Sequence, residues 1–255
     1  MNTLDIITSE LFDYAGMYPP AKLSFLAMLK ESAELPQSLH RPPLCASRIV
    51  MPVAMLSQLS DSVLQAAGFK TGEKIPISLL SNLDHLDPDF ITLKNYFSSA
   101  RNKKFQLVLR SFEFPFTEEQ DIKAEGIIEF LQALKAFESN VKVYLELKAS
   151  ANWSAQLDEI FALSSLSEGQ IPVVGAKLRF GGIEALPAET ISSVLVALGS
   201  KGIPFKATAG LHHPLVETER YQNSFGFLGV LTAVFLLTKG FKLSVEEIKQ
   251  IITVS

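Results

Sequence analysis

Six short apolar segments alternate with helical segments along this chain, and this alternation restricts its possible folds more than any other feature. Each apolar segment is rich in branched or aromatic residues, and a stretch with helical spacing follows it. The predicted strands are residues 48–53, 74–80, 105–110, 141–148, 173–179 and 203–208. Because no hairpin turn joins consecutive strands, helices must make the connections, which predicts a parallel sheet.

The length of 255 residues matches a (β/α)8 barrel, typically about 250 residues long. Two more strands would have to come from the N-terminal segment and from residues 240–243 or 251–254. The sequence therefore predicts a single α/β barrel domain over residues 1–255, incomplete or distorted, with residues 1–36 as an N-terminal turn and helix packed on it. An open doubly wound parallel sheet is the second interpretation.

The helical segments have recognisable starts. Pro19 and Pro20 are predicted to open a helix that runs to about residue 34, because proline in the first turn loses no hydrogen bond. Thr117 is predicted to cap a helix that ends near residue 137. The remaining predicted helices are residues 4–11, 60–67, 87–101, 154–163, 187–198, 224–238 and one beginning at 244.

Composition argues against several classes of function. The formal charge of −4 does not favour nucleic-acid binding. Cys45 is the only cysteine, so no intrachain disulfide can form and a reducing compartment is expected. Residues 1–10 lack the basic start of a signal peptide, and the longest uncharged run, 221–238, is interrupted by glycines and fits a buried helix. A cytoplasmic protein without nucleic-acid or membrane partners is predicted, and a homo-oligomer stays open.

Charged residues lie on three consecutive predicted strands. Glu146 is on the fourth strand, Lys177 and Arg179 share one face of the fifth, and Lys206 and Thr208 share one face of the sixth. Parallel sheets and barrels gather ligand sites at the carboxyl ends of their strands. Because cations outnumber carboxylates there, the sequence predicts a site for a small anionic metabolite, either a carboxylate or a phosphate.

Two further candidates lie earlier in the chain. Arg110 is predicted to end the third strand, with Glu113 just beyond it, and is a candidate ligand for the anion. Asp13 precedes the Pro19–Pro20 turn. It can be a cap or turn residue, or a loop carboxylate folded over the site.

The glycines after the last two strands have two interpretations. Gly181 and Gly182 follow the fifth strand, and Gly210 follows the sixth. Such turns expose backbone N–H groups that can hold a phosphate. They can equally be tight turns between a strand and a helix.

His212 and His213 lie in the loop after the sixth strand. Adjacent side chains in an extended segment point in opposite directions, so the two seldom share one metal ion. One of them is expected to face the site as a general acid, general base or hydrogen-bond donor. No metal and no other cofactor are predicted.

The basic residues allow three roles. Glu146 can neutralise Lys177 or Lys206 in a structural ion pair. The two lysines can instead clamp an anionic ligand. Alternatively, Lys206 is a Schiff-base nucleophile, since the positive charges of Lys177 and Arg179 would favour its neutral amine.

Two motifs carry a family resemblance. Residues 177–182, Lys-Leu-Arg-Phe-Gly-Gly, and residues 204–214, Pro-Phe-Lys-Ala-Thr-Ala-Gly-Leu-His-His-Pro, resemble a family of uncharacterised bacterial proteins, as does the early turn from Asp13 to Pro20. This resemblance spans most of the chain and implies no activity.

More distantly, residues 142–146, 176–183 and 205–210 look like strand motifs of deoxyribose-phosphate aldolases, although the two lysine strands come in the opposite order. That resemblance implies a (β/α)8 barrel, with Lys206 as the nucleophile and Lys177 as its partner. It favours a lyase or aldolase-like enzyme acting on a small anionic carbonyl metabolite. A non-catalytic barrel that binds an anionic metabolite or a protein is the alternative, and a scaffold with closed ion pairs is a third possibility.

Overall fold

A computed structural model describes residues 11–38, 48–82, 85–99, 104–115, 124–148, 152–166, 169, 171–182, 185–216 and 225–254 of the chain. The predicted helix over residues 4–11 and the predicted cap at Thr117 lie outside this part. No helix in the described segments is long and apolar enough to cross a membrane.

The described segments form an α/β fold around one six-stranded parallel sheet. The strands follow one another in the order β1-β2-β3-β4-β5-β6. Their bounds are β1 Ile49–Pro52, β2 Lys74–Leu80, β3 Gln106–Pro115, β4 Lys142–Glu146, β5 Val173–Arg179 and β6 Phe205–Thr208. The predicted parallel sheet is confirmed.

Helices connect the strands, and a 3-10 helix, Val53–Gln58, follows β1 directly. The α-helices are α1 Phe25–Ser38, α2 Asp61–Ala67, α3 Leu86–Ser99, α4 Ala124–Phe137, α5 Trp153–Ser165, α6 Ala188–Lys201, α7 Phe227–Thr238 and α8 Val245–Ile252. The chain divides into two compact units, Met1–Glu113 with Glu129–Val141, and Phe114–Ile128 with Lys142–Ser255.

In the first unit, helix α2 shows how local sequence sets an element. The Ser60 hydroxyl accepts a hydrogen bond from the backbone N–H of Val63 at 3.3 Å, which satisfies a donor at the helix start. Gly68 ends the helix with φ of 102°, a left-handed conformation that glycine adopts without steric penalty. Leu64 and Ala67 are the buried residues of this helix.

The predicted end of the third strand at Arg110 is wrong. Strand β3 continues to Pro115, because the register with β2 shifts by one residue: Ile77 pairs with Leu109, and Ser78 pairs with Ser111. Arg110 is therefore the extra residue of a β-bulge, and its side chain is exposed.

The prediction that Pro19 and Pro20 open a helix is also wrong. They lie in turns, and Lys22 adopts a left-handed φ of 49° that interrupts any helix at that point. Helix α1 begins only after Ser24, whose hydroxyl accepts the backbone N–H of Ala27 at 3.4 Å.

Neither C-terminal segment considered for a further strand is one. Residues 241–244 have no regular structure, and residues 251–252 complete helix α8. The reason is a capping box at Ser244, whose hydroxyl accepts from the Glu247 backbone while the Glu247 carboxylate accepts from the Ser244 backbone. Near the N-terminus, Tyr14 makes an isolated parallel bridge to Ile49.

Candidate functional site

The centre of the candidate site is a buried carboxylate held between two cations in the second unit. One oxygen of Glu146, Oε2, lies 2.8 Å from Nζ of Lys177. The other, Oε1, accepts from Arg179 twice, from Nη2 at 2.6 Å and from Nε at 2.8 Å. Glu146 and Lys177 are 7% and 8% exposed. Charges this buried require partners, and here each carboxylate oxygen has a cationic one.

Strand register brings these residues together. Glu146 on β4 is opposite Lys177 on β5, and Lys177 is in turn opposite Lys206 on β6. Arg179 is opposite Thr208, two residues further along both strands. Since side chains alternate between the two faces of a strand, all five residues project from one face. The register therefore brings Glu146 onto the same face as the predicted pairs on β5 and β6.

The opposite face of β4 and β5 is apolar and buried. Leu145, Ala176 and Leu178 alternate with the charged residues and are at most 1% exposed. On the charged face Glu146 and Lys177 are buried whereas Arg179, Lys206 and Thr208 are half-buried, so this face is not part of the apolar core. Among the residues that strand register groups on this face, Lys177, Arg179 and Lys206 are basic and Glu146 is the one acidic residue.

Gly181 and Gly210 act as packing residues. A Cβ atom added to Gly181 would lie 2.5 Å from the Cα of Gly210, and one added to Gly210 would lie 2.6 Å from the Cα of Gly181. The turns after β5 and β6 therefore touch through their backbones, next to the hydrogen bond from Phe180 N–H to Thr208 carbonyl at 2.9 Å. Gly182 has φ of 85° and open space around its Cα.

This contact gives a testable difference between neighbouring glycines. Gly181→Ala is expected to reduce the free energy of unfolding by about 2–3 kcal/mol, since backbone atoms must move apart. Gly182→Ala meets no atom within 4 Å and is expected to lose only about 1 kcal/mol through its left-handed φ. Urea unfolding of both variants measures the difference. Equal losses would show that the two turns separate at little cost.

The two histidines differ in their surroundings. His212 is exposed and His213 is half-buried. The backbone of His213 is held by a parallel bridge to Gly226 and accepts the Phe227 N–H at 3.0 Å. Their predicted acid–base role stays a prediction.

Asp13 and Arg110 belong to the first unit. Asp13 Oδ1 accepts from Arg48 Nη1 at 3.1 Å, and both side chains are mostly buried. This ion pair sits beside Tyr14, whose backbone bonds to both Arg48 and Val50. Their predicted binding roles stay predictions.

Sequence reasoning missed a buried polar chain in the first unit. The Ser111 hydroxyl donates to Ser78 Oγ at 2.6 Å, and the Ser78 hydroxyl donates to Glu113 Oε1. Glu113 is 1% exposed. Burial, and then the negative charge of Glu113, raise the pKa of Tyr18 to about 12. The predicted end of the third strand at Arg110 hid this chain, because it left Ser111 and Glu113 outside the strand that pairs with Ser78.

Among the described residues, no group of three histidine, cysteine or acidic side chains is placed to hold a metal ion. No protein-family model matches the chain, and the search of curated proteins returns no match. The site must therefore be interpreted from its own geometry.

Proposed function

We propose that this protein is a (β/α)8-type barrel enzyme, lyase- or aldolase-like, that acts on a small anionic carbonyl metabolite through a lysine-centred site. The sequential order of six parallel strands supports a barrel, because a doubly wound sheet reverses its strand order at its ligand site. In this proposal the protein acts in the cytoplasm without a cofactor. Its partner is a small molecule rather than nucleic acid or membrane.

The observation that carries the proposal is the row of Glu146, Lys177 and Lys206 across β4, β5 and β6. Glu146 holds Lys177 at 2.8 Å, which fixes the Lys177 ammonium as a positive charge beside Lys206. The positive charge of Lys177 would attract an anionic substrate to the position beside Lys206, the proposed nucleophile. Arg179, 32% exposed in its side chain, is the anchor for the carboxylate or phosphate of the substrate.

The proposed step is formation of a Schiff base. The Lys206 amine attacks the carbonyl carbon, a C–N bond forms, and the carbonyl oxygen leaves as water after accepting two protons. The resulting iminium accepts the electron pair of the bond between the α and β carbons of the substrate when that bond breaks, which leaves an enamine. Glu146 is the proposed base, and His213 or His212 the proposed proton donor.

A non-catalytic anion-binding protein is the second candidate. The arrangement of Lys177 and Arg179 on one carboxylate favours it, because two fixed cations can bind a phosphate or carboxylate without any covalent step. This alternative predicts anion binding with no adduct on Lys206.

Reductive trapping tests the proposal. The protein is incubated with a panel of small phosphorylated aldehydes and keto acids, with and without borohydride, and digested. Borohydride reduces an iminium to a stable secondary amine, so the expected result is one mass increment, located on Lys206. Exposed Lys201 and Lys242 report background modification within the same sample.

Three outcomes count against Lys206 as the catalytic nucleophile. An adduct that appears equally on Lys201, Lys242 and Lys206 is non-specific chemistry. An adduct that persists elsewhere in Lys206→Met places the nucleophile at another residue. Saturable stabilisation by phosphate, with no adduct from any carbonyl compound, supports the anion-binding alternative.

A further inference from the structure

A cavity of about 440 Å³ opens at the carboxyl ends of β1 and β2 in the first unit. Pro52 and Val53 line it where β1 passes into the 3-10 helix, and Leu80 and Ser81 line it where β2 ends. Asp89 lines it from the first turn of α3. A cavity of this size at the carboxyl ends of parallel strands is where small molecules bind in α/β folds.

The polar side of the cavity is built around Asp89. Ser81 is 8% exposed, and its hydroxyl donates to Asp89 Oδ2, which fixes the carboxylate against the strand end. The backbone N–H of Ser81 donates to the Glu113 carbonyl at 3.0 Å, so β3 holds this anchor in place. His85 adds an exposed ring that can donate or accept a hydrogen bond.

The charge of the lining selects the chemistry of its ligand. Asp89 is the only acidic residue among the described lining residues, and none of them is a lysine or an arginine. Pro52, Val53 and Leu80 add apolar surface to the same lining. The negative charge of Asp89 would repel an anion, whereas an ammonium group would form a charge-assisted hydrogen bond with this carboxylate.

We propose that this cavity binds a small molecule with an apolar body and a cationic amine head, with Asp89 as the anchor of the amine. The site has the opposite charge preference to the Lys177 and Arg179 cluster. The inference does not depend on the proposed Schiff-base function, because no residue is shared between the two.

Three probes of similar size test it at neutral pH: butylammonium, 1-butanol and butyrate. They are titrated into the full, ¹⁵N-labelled chain, and the backbone amide shifts of Val53 and Ser81 are followed. Butylammonium is expected to bind saturably, at least tenfold more tightly than butyrate, with butanol between them. This comparison on the parent protein needs no variant. Equal shifts with butyrate, or no saturable shift with butylammonium, would overturn the proposal.

A matched pair of variants identifies the anchor. Asp89→Asn is expected to weaken butylammonium binding about tenfold, while its side-chain oxygen can still accept the Ser81 hydroxyl. Asp87→Asn makes the same change of charge on the exposed surface of the same helical turn and is expected to leave the affinity unchanged. If both variants weaken butylammonium binding equally, the effect is a general attraction to negative surface charge, which would contradict a specific site at Asp89.

Discussion

Glu146→Gln is expected to lower the free energy of unfolding by about 3–5 kcal/mol. The substitution keeps the shape of the side chain and removes the charge that neutralises both Lys177 and Arg179. Lys177 is 8% exposed, so its ammonium would remain in the interior next to a second cation. Desolvation without a counter-charge is the reason for the large loss. Urea unfolding of the variant and the parent measures it.

An exposed ion pair in the same unit provides the control. Lys249 lies 2.8 Å from Glu189, the same distance as Lys177 from Glu146, but both side chains are well exposed. Glu189→Gln is expected to leave the unfolding midpoint almost unchanged, because water and salt screen such pairs. If both substitutions have equally small effects, then Glu146, Lys177 and Arg179 are accessible to water and do not form a buried binding site.

Phosphate distinguishes an anion site from a closed ion network. Glu146→Gln leaves the cluster with an excess of cations, so added phosphate should raise its melting temperature more than that of the parent. Glu189→Gln should respond to phosphate as the parent does. A Glu146→Gln variant that is destabilised and does not respond to phosphate would indicate a structural cluster with no room for a ligand.

Elements whose limits are set by local chemistry could be predicted from the sequence. Strands β2 and β5 begin and end where predicted, at Lys74–Leu80 and Val173–Arg179. Glu73 and Ser81 border the first run, whereas Pro172 precedes the second and a Gly-Gly turn closely follows it. Helix α2 begins after its predicted start at Ser60, since the serine hydroxyl caps it. In each case the deciding interactions lie within a few residues along the chain.

Features decided by pairing between strands could not be predicted in the same way. The extension of β3 beyond Arg110 depends on a register shift against β2, and one residue of shift reverses which face each side chain occupies. The shift turns Ser111 and Glu113 towards the face that Ser78 occupies. No pattern within β3 alone encodes that.

The candidate site shows both cases. Side chains alternate between the two faces of a strand, which correctly predicted that Lys177 and Arg179 share one face of β5. Pairing between β4 and β5 brings Glu146 next to them. Glu146 is opposite Lys177 rather than Arg179, so the two hydrogen bonds from Arg179 to Glu146 require the long arginine side chain to extend diagonally across the sheet. The conformation of such a side chain depends on tertiary structure, so the sequence could not show which basic residue pairs with Glu146.

Lys177→Met and Lys206→Met are expected to differ in their free energies of unfolding, although the two lysines are opposite each other on β5 and β6. Lys177→Met removes a buried partner of Glu146 and should lower the free energy of unfolding by about 3 kcal/mol. Lys206→Met should stay within about 1 kcal/mol of the parent, because Lys206 is only half-buried and lies opposite a like charge. Methionine keeps the unbranched apolar stem in both variants. Urea unfolding of both variants, alongside the parent, measures the difference.

The stability of Lys206→Met decides how its chemistry should be interpreted. A loss of about 3 kcal/mol in both variants would make both lysines structural and remove the case for a nucleophile. A stable Lys206→Met protein that no longer forms the borohydride adduct would show a lysine retained for reactivity rather than for folding. If the parent forms no adduct and Lys206→Met only weakens phosphate binding, the lysine is part of an anion clamp, and the excess of cations on this face serves binding alone.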